Sequence, residues 1–450
     1  MVRSFSRRHF AHGACSPYLH WSTRLLLLLG IIVLAGCSEP APELEQDPQN
    51  VLVRFAPING ASVDRRARAR SMAAAGVEPR GDFALVPDWS LARVSAGQTV
   101  DQAIAQLESQ PNVIRAEPDY VLTTNAVPND SRFDFLYGLN NTGQTGGVRD
   151  ADIDAPEAWD VETGARTVIA VIDTGVDYNH EDLRGNIWSN TDEVPGNGVD
   201  DDGNGFVDDV RGWDFQSDDN DPMDQNNHGT HVSGIIAAVG DNGTGVTGVN
   251  WSARIMPLKF MDAQGRGTTS AAIRAIEYAV ANGARISSNS WGGGGASLAL
   301  RDTIQAAASP GHLFVAASGN DGVNADTNPH YPSGYDLPNI LSVTATDDAD
   351  RLPSFANFGP RSVDIAAPGV AILSTLPGNR YASLSGTSMA APYASGVAGL
   401  LLSRDSSLTV SQLKAAIMDN VDPVPALSGL MVTGGRLNAA KAVNSIAGTT

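Results

Sequence analysis

Two rhythms of apolar residues alternate along most of this chain. Short continuous runs such as Val168-Ile169-Ala170-Val171-Ile172 predict strands covered on both faces. Longer segments with apolar positions three and four apart predict helices. From about residue 130, strands are expected at 168–172, 255–260, 285–288, 313–317 and 340–344, and helices at 228–239, 269–282, 298–308 and 387–403. That interleaving specifies an α/β fold, with a mostly parallel central sheet and helices on both faces. Ligands of such sheets bind at the carboxyl ends of strands, where Asp173 falls. Upstream, residues 50–125 read as a small separate α/β unit. It has strands at 51–55 and 113–120 and a helix at 99–109 with Val100, Ile104 and Leu107 on one face. The arginine-rich run 65–70 between them reads as a solvated loop or helix face.

The amino terminus reads as an export segment. Arg24 precedes an apolar run, 25–34, that is too short to span a bilayer comfortably. It ends in Leu34-Ala35-Gly36-Cys37, which resembles a bacterial lipobox. That resemblance implies a signal peptide over 1–36 and a lipid on Cys37, the new amino terminus. The pair Arg7-Arg8 is only weakly similar to a twin-arginine signal, because the apolar run starts too far downstream. Residues 37–49 form an acidic, proline-rich tether. With Cys15 removed and Cys37 lipidated, no disulfide is left to the mature chain, and bound metal is the usual alternative staple.

Charge narrows the function. The 450 residues are 42% hydrophobic and carry a formal charge of −20. From residue 126 onward, 18 basic residues face 38 acidic ones. Such acidity argues against a nucleic-acid partner and favours a cation-binding surface. Asp200, Asp202 and Asn204, then Gly205, the Phe206 carbonyl and Asp208, follow the first part of a calcium-loop spacing. Arg211 stands where that pattern has glutamate, so Asp209 is the candidate to complete the set.

Three glycine-rich motifs carry candidate chemistry in order: Asp173-Thr-Gly, His228-Gly-Thr-His-Val-Ser-Gly and Gly386-Thr-Ser-Met-Ala-Ala-Pro. Singly, they read as a turn, a helix-capping histidine and an N-cap. An aspartic protease would need a second D-T-G or D-S-G, and the chain has none. His228-Gly-Thr-His231 lacks the i, i+4 spacing and glutamate of a zinc-protease helix, which leaves His231 as hydrogen-bonded packing. Together the motifs resemble the subtilisin-like serine proteases over most of residues 130–446. The resemblance implies that Asp173 orients His228, that His228 is the base, and that Ser388 is the nucleophile. Asn320, after the strand 313–317, becomes the oxyanion donor beside the Ser388 N–H. Ser290, Trp291 and Gly292 become the edge that pairs with substrate, and Ala317 and Gly319 line an apolar, permissive first specificity pocket.

The same resemblance implies a tight Ca2+ site from Asp182 and Asn242 side chains with the Gly240, Thr244 and Val246 carbonyls. It also implies that residues 50–125 are an inhibitory propeptide, cut off between Leu122 and Pro128 from a catalytic domain at 126–450. The expected partners are protein or peptide substrates, the chain's own propeptide, and a membrane only through lipid on Cys37; a monomer is expected. A calcium-binding module on an inactive protease scaffold is the rival reading, and the intact set Asp173, His228, Ser388 and Asn320 weighs against it.

Overall fold

The computed structural model describes residues 46–56, 64–120 and 126–446. The signal segment, Cys37, most of the tether and residues 122–125 of the expected cleavage stretch lie outside the described residues. The chain divides into two units, 1–123 and 124–450.

In the first unit, β1 (Gln46–Phe55), β2 (Val77–Asp82), β3 (Trp89–Val94) and β4 (Val113–Tyr120) form an antiparallel sheet in the order β2-β3-β1-β4. Val51, Val53 and Phe55 alternate inward along β1. They pack against Met72 of helix α1 (Arg65–Ala74) and Leu107 of helix α2 (Val100–Glu108). Thr99 caps α2 through a reciprocal box with Gln102. The 65–70 run differs from a wholly solvated face. Arg68 turns inward, donates to Ser90 Oγ at 3.2 Å and Pro87 O at 2.6 Å, and lies over the Phe55 ring. Its long apolar stem and cation–ring contact let the guanidinium cover the core edge.

The second unit is built on a nine-stranded sheet. Its central strands are β5 (Val168–Asp173), β7 (Arg254–Lys259), β8 (Ile286–Asn289), β9 (Leu313–Ala317), β10 (Ile340–Thr346) and β11 (Ile365–Pro368). With the short β6 (Trp213–Asp214), β14 (Asp422–Pro423) and β15 (Gly435–Arg436), the order is β14-β15-β11-β10-β9-β8-β5-β7-β6. Every pairing is parallel except β14–β15. Successive side chains serve opposite faces. Ile169 and Val171 join one core with helices α3 (Ala155–Trp159), α4 (His228–Ala237), α7 (Thr387–Arg404), α8 (Val410–Met418) and α9 (Ala439–Asn444). Ala170 and Ile172 join the other with α5 (Thr269–Ala281) and α6 (Leu298–Ala307). This is the three-layer arrangement expected from the continuous apolar strands. A hairpin of β12 (Ile372–Leu376) and β13 (Arg380–Leu384) packs beside α4.

Helix α7 is apolar around nearly its whole circumference and is buried over most of its length. It sits close because Gly396 faces Val249, where a Cβ would lie 2.6 Å from Val249 Cβ. Gly396→Ala is therefore expected to destabilise the domain by about 1–3 kcal/mol through overpacking, despite better helix propensity. Thermal melting of the variant checks this; an unchanged or higher melting temperature would contradict the packing.

Candidate active site

Asp173 ends β5 with its side chain completely buried. Its Oδ1 accepts from Thr174 N at 2.7 Å and from His228 Nδ1 at 2.8 Å. The turn that follows is held from two sides. The buried Lys259 donates to Thr174 O at 2.9 Å, and Thr174 Oγ1 donates to Asp224 Oδ1 at 2.9 Å. Asp224 also accepts from Thr230 N at 3.0 Å, which binds the turn to the start of α4. At Gly229 a Cβ would fall 2.1 Å from Gly175 O, so helix and turn meet only because glycine is there. His228, the first residue of α4, is thus set against Asp173 with 28% of its side chain exposed. Burial alone would lower its pKa. The Asp173 charge and hydrogen bond, with the Asp224 charge, outweigh burial and hold it above the ordinary histidine value.

Ser388 lies in the first turn of α7. Its Oγ donates to Ser290 O at 3.2 Å, and Ser290 Oγ donates to Ser388 O at 2.9 Å, so the two segments clasp each other. Asn320 follows β9 and reaches the same helix end. Its Oδ1 accepts from Thr387 N at 2.9 Å and from Thr387 Oγ1 at 3.1 Å. A backbone N–H can only donate, so the amide oxygen must face the helix and Nδ2 must point away from it. The Ser388 N–H, second in the helix, has no intrahelical acceptor by position.

These groups line one cleft of about 370 Å3 with Ser290, Trp291, Gly292, Ala317 and Gly319. All five residues expected to bind substrate therefore border the same space as His228, Asn320 and Ser388. Trp291 also packs edge-to-face with Phe260 and Phe314, with centroids 4.9 and 6.2 Å away, so much of its ring is core. His231 is elsewhere: it is buried, with Nε2 against Ile372 O and Ala382 O, and burial pushes its pKa down to about 4. That is the hydrogen-bonded packing its spacing suggested.

The candidate metal residues form two groups. Asp182 is buried and accepts from Asn242 Nδ2 at 2.8 Å and Val246 N at 2.8 Å. Burial, with the charge of Asp130 adding to it, pushes its pKa up to about 6. Gly240 and Thr244 belong to the same loop, where Thr244 N donates to Asn242 Oδ1. In the acidic loop, carboxylate oxygens of Asp200, Asp202 and Glu193 lie within 4.8 Å of one another. Asn204 donates to both Asp202 and Asp209, and Asp209 is buried and also accepts from Tyr278 Oη at 2.5 Å. Asp208 accepts from the Asn197 and Gly198 amides, and the Phe206 ring packs against Trp213 and Tyr278.

Several residues with parts to play were not legible. Glu193 and Asp130 lie outside the loops that drew attention, and both are buried carboxylates. Asp224 sits four residues before His228 without a motif of its own. Thr387 was visible inside the serine motif but not as the clamp on Asn320. His330 lines the cleft from a loop that carries no glycine-rich signature.

Comparison with known proteins finds relatives of this chain. A sequence profile described as the subtilase family matches residues 164–447. A thermophilic serine proteinase of Bacillus sp. is 37% identical over 346 residues, covering 76% of each chain. Thermitase of Thermoactinomyces vulgaris is 41% identical over 291 residues, which is 65% of this chain and 93% of the relative. Among solved structures, a protease from Pseudoalteromonas arctica matches with TM-score 0.59 and 27% identity over 71% of this chain and 99% of its own. A cold-adapted subtilisin-like serine proteinase matches with TM-score 0.54 and 29% identity, over 70% and 99%.

The Asp173–His228 pair sets a measurable titration. In the native protein, His228 should titrate above the ordinary histidine value. In Asp173→Asn, burial would act with most of its opposition removed, and the pKa should fall. Imidazole resonances followed by NMR across pH decide this; equal His228 pKa values in the two proteins would rule out the pair as the cause.

Proposed function

The chain belongs to the subtilase family and is a subtilisin-like serine endopeptidase, and from that premise we propose that Ser388, His228 and Asp173 carry its chemistry, with Asn320 as oxyanion donor. The observation that carries this reading is the shared cleft. His228, bonded to a buried carboxylate, faces the same space as Ser388 and the outward Nδ2 of Asn320.

Each atom then has a role. Asp173 accepts a hydrogen bond from the Nδ1–H of His228, which fixes the tautomer and leaves Nε2 as the acceptor turned to the cleft. The Ser388 hydroxyl exchanges its bond to the Ser290 carbonyl for one to Nε2 and passes its proton there as Oγ attacks the peptide carbonyl carbon. The carbonyl oxygen becomes an oxyanion between the Ser388 N–H and Asn320 Nδ2. Collapse breaks the C–N bond, and the imidazolium returns its proton to the leaving amine. Water repeats the sequence on the acyl ester and frees Ser388. Ser290, Trp291 and Gly292 give an edge to which an extended peptide adds as a strand, and Ala317 and Gly319 border the side-chain pocket.

Calcium fits the acidic loops as a structural ion. Asp130 Oδ2 accepts from Asp241 N, but its Oδ1 is buried without a hydrogen-bond partner next to Asp182, and a carboxylate oxygen left so there suits a cation. Asp182, Asn242 and the carbonyls of Gly240, Thr244 and Val246 would hold one ion. Asp200, Asp202, Asn204, Phe206, Asp208 and Asp209, with Glu193, supply the donors of the second site. An ion held by these residues would supply charge neutralisation and stability, away from the atoms of bond cleavage.

Residues 50–125 act, in this reading, as an inhibitory propeptide released by self-cleavage between Leu122 and Pro128. Cys37 lies on the propeptide side of that junction, so its lipid would tether only the proenzyme. No helix among the described residues is long and apolar enough to cross a membrane. Self-processing would therefore release an acidic monomeric enzyme outside the cytoplasm.

Ser388→Ala is expected to abolish peptide hydrolysis and self-processing together, leaving full-length protein with the membrane fraction. A normally processed, soluble catalytic domain from that variant would overturn the assignment. Asn320→Ala should keep the nucleophile but lose about 10²–10³ in turnover. Acylation needs neutral His228, whose pKa is raised, so the acid limb of kcat/KM should lie above the ordinary histidine value and activity should rise with pH through it.

Calcium should raise the melting temperature of the mature enzyme progressively with concentration. Asp182→Asn and Asp200→Asn are each expected to weaken that dependence. Identical melting curves with calcium and with chelator would remove both sites.

A further inference from the structure

We propose that His330 is a specificity-determining residue: its imidazole closes the pocket for the substrate side chain just before the scissile bond and offers a hydrogen-bond acceptor there. Side chains ending in an N–H or O–H donor are thereby preferred over carboxylates of the same shape. This rests on the cleft being the peptide-binding site.

His330 lines that cleft together with Ala317, Gly319, Gly292 and Ser388. Its ring fills the gap between the two segments that border the pocket. A Cβ on Gly292 would lie 2.0 Å from His330 Cε1, and one on Gly319 would lie 2.7 Å from Cδ2. Both glycines are thus the clearance for this ring, and Gly293 N, bonded to Tyr331 O at 3.0 Å, ties the edge segment to the same loop. The imidazole is neither a ligand in the acidic loops nor a partner of His228.

The tautomer follows from one serine. Ser333 Oγ spends its only proton on His330 O, at 2.9 Å. Toward His330 Nδ1, 3.3 Å away, the hydroxyl can only accept, so Nδ1 carries the hydrogen. Nε2 is left with a lone pair on the Gly292 side of the ring. Burial lowers the His330 pKa, with the Asp321 charge opposing it, so the ring is neutral at neutral pH. The packed segments 290–295 and 317–320 contain no titratable side chain, and the loop that carries His330 holds Asp321, Asp326, Tyr331, Tyr335 and Asp336, of which Asp321 acts on the ring. A glutamate side chain would set a carboxylate against the lone pair, whereas glutamine turns its amide hydrogens to it. One net hydrogen bond separates them, which is about tenfold in rate constant at most sites.

The test compares peptides that differ only by Gln, Glu or Met before the cleaved bond, using the processed enzyme with active sites counted by a fluorophosphonate probe. Wild type should cleave the Gln peptide with kcat/KM about tenfold above the Glu peptide at pH 8. That ratio should fall as acid protonates Nε2, with His228 titration cancelling because it serves both substrates. In His330→Leu the advantage of Gln over Met should vanish, and in His330→Ala larger aromatic side chains should gain. If either labelled variant keeps the wild-type ratios, His330 does not set specificity. A wild-type enzyme that takes up no probe would instead defeat the protease reading itself.

Discussion

The buried carboxylate of Asp173 is the constraint on which the rest of the site depends. It lies at the end of β5 with no exposed surface, and a charge there is tolerable only with donors around it. One donor comes from its own chain at Thr174, and the other must come from a distant segment, which is His228. Satisfying Asp173 therefore decides where α4 begins. That in turn requires Gly229 against Gly175 and recruits Asp224 to tie the turn and helix together. Electrostatics and packing set the same geometry, so neither can be changed alone.

The opposite side of the cleft is organised by the end of one buried helix. Helix α7 runs through the core, and its first N–H groups are left without helical partners. Asn320 takes one of them through Oδ1, which points its amide hydrogens toward the cleft. A single hydrogen bond thus satisfies the helix end and aims the proposed oxyanion donor. The Ser290–Ser388 clasp does the same for the edge segment, placing it beside the serine before any substrate binds. Such preorganisation avoids much of the reordering that a catalytic step would otherwise require.

The strong negative charge has a local logic. Carboxylates are concentrated in loops between residues 182 and 246, where several are buried or share donors such as Asn190, Asn204 and Asn242. Amide donors relieve part of the repulsion, and a divalent ion would relieve the remainder. The first unit solves its own charge problem differently, by folding Arg68 against Asp82, Ser90 and the Phe55 ring.

Much of the fold was legible because a parallel sheet buries its strands on both faces, and such strands must be continuously apolar. The runs at β5, β7, β9 and β10 and the long helices α4, α5 and α7 show that signature within a residue or two. The short elements β6, β14 and β15 do not, because two residues hold no periodicity. Residue type and local spacing also determined the candidate chemistry, since a serine, a histidine and an aspartate in glycine-rich turns have few joint uses. Only the tertiary structure decided which end of the Asn320 amide meets the helix, that Glu193 joins Asp200 and Asp202, and that Arg68 is buried. It alone brought His330 from an unmarked loop between Gly292 and Gly319. Those facts depend on contacts between segments far apart in the chain, and local pattern carries no record of which distant partner a side chain will meet.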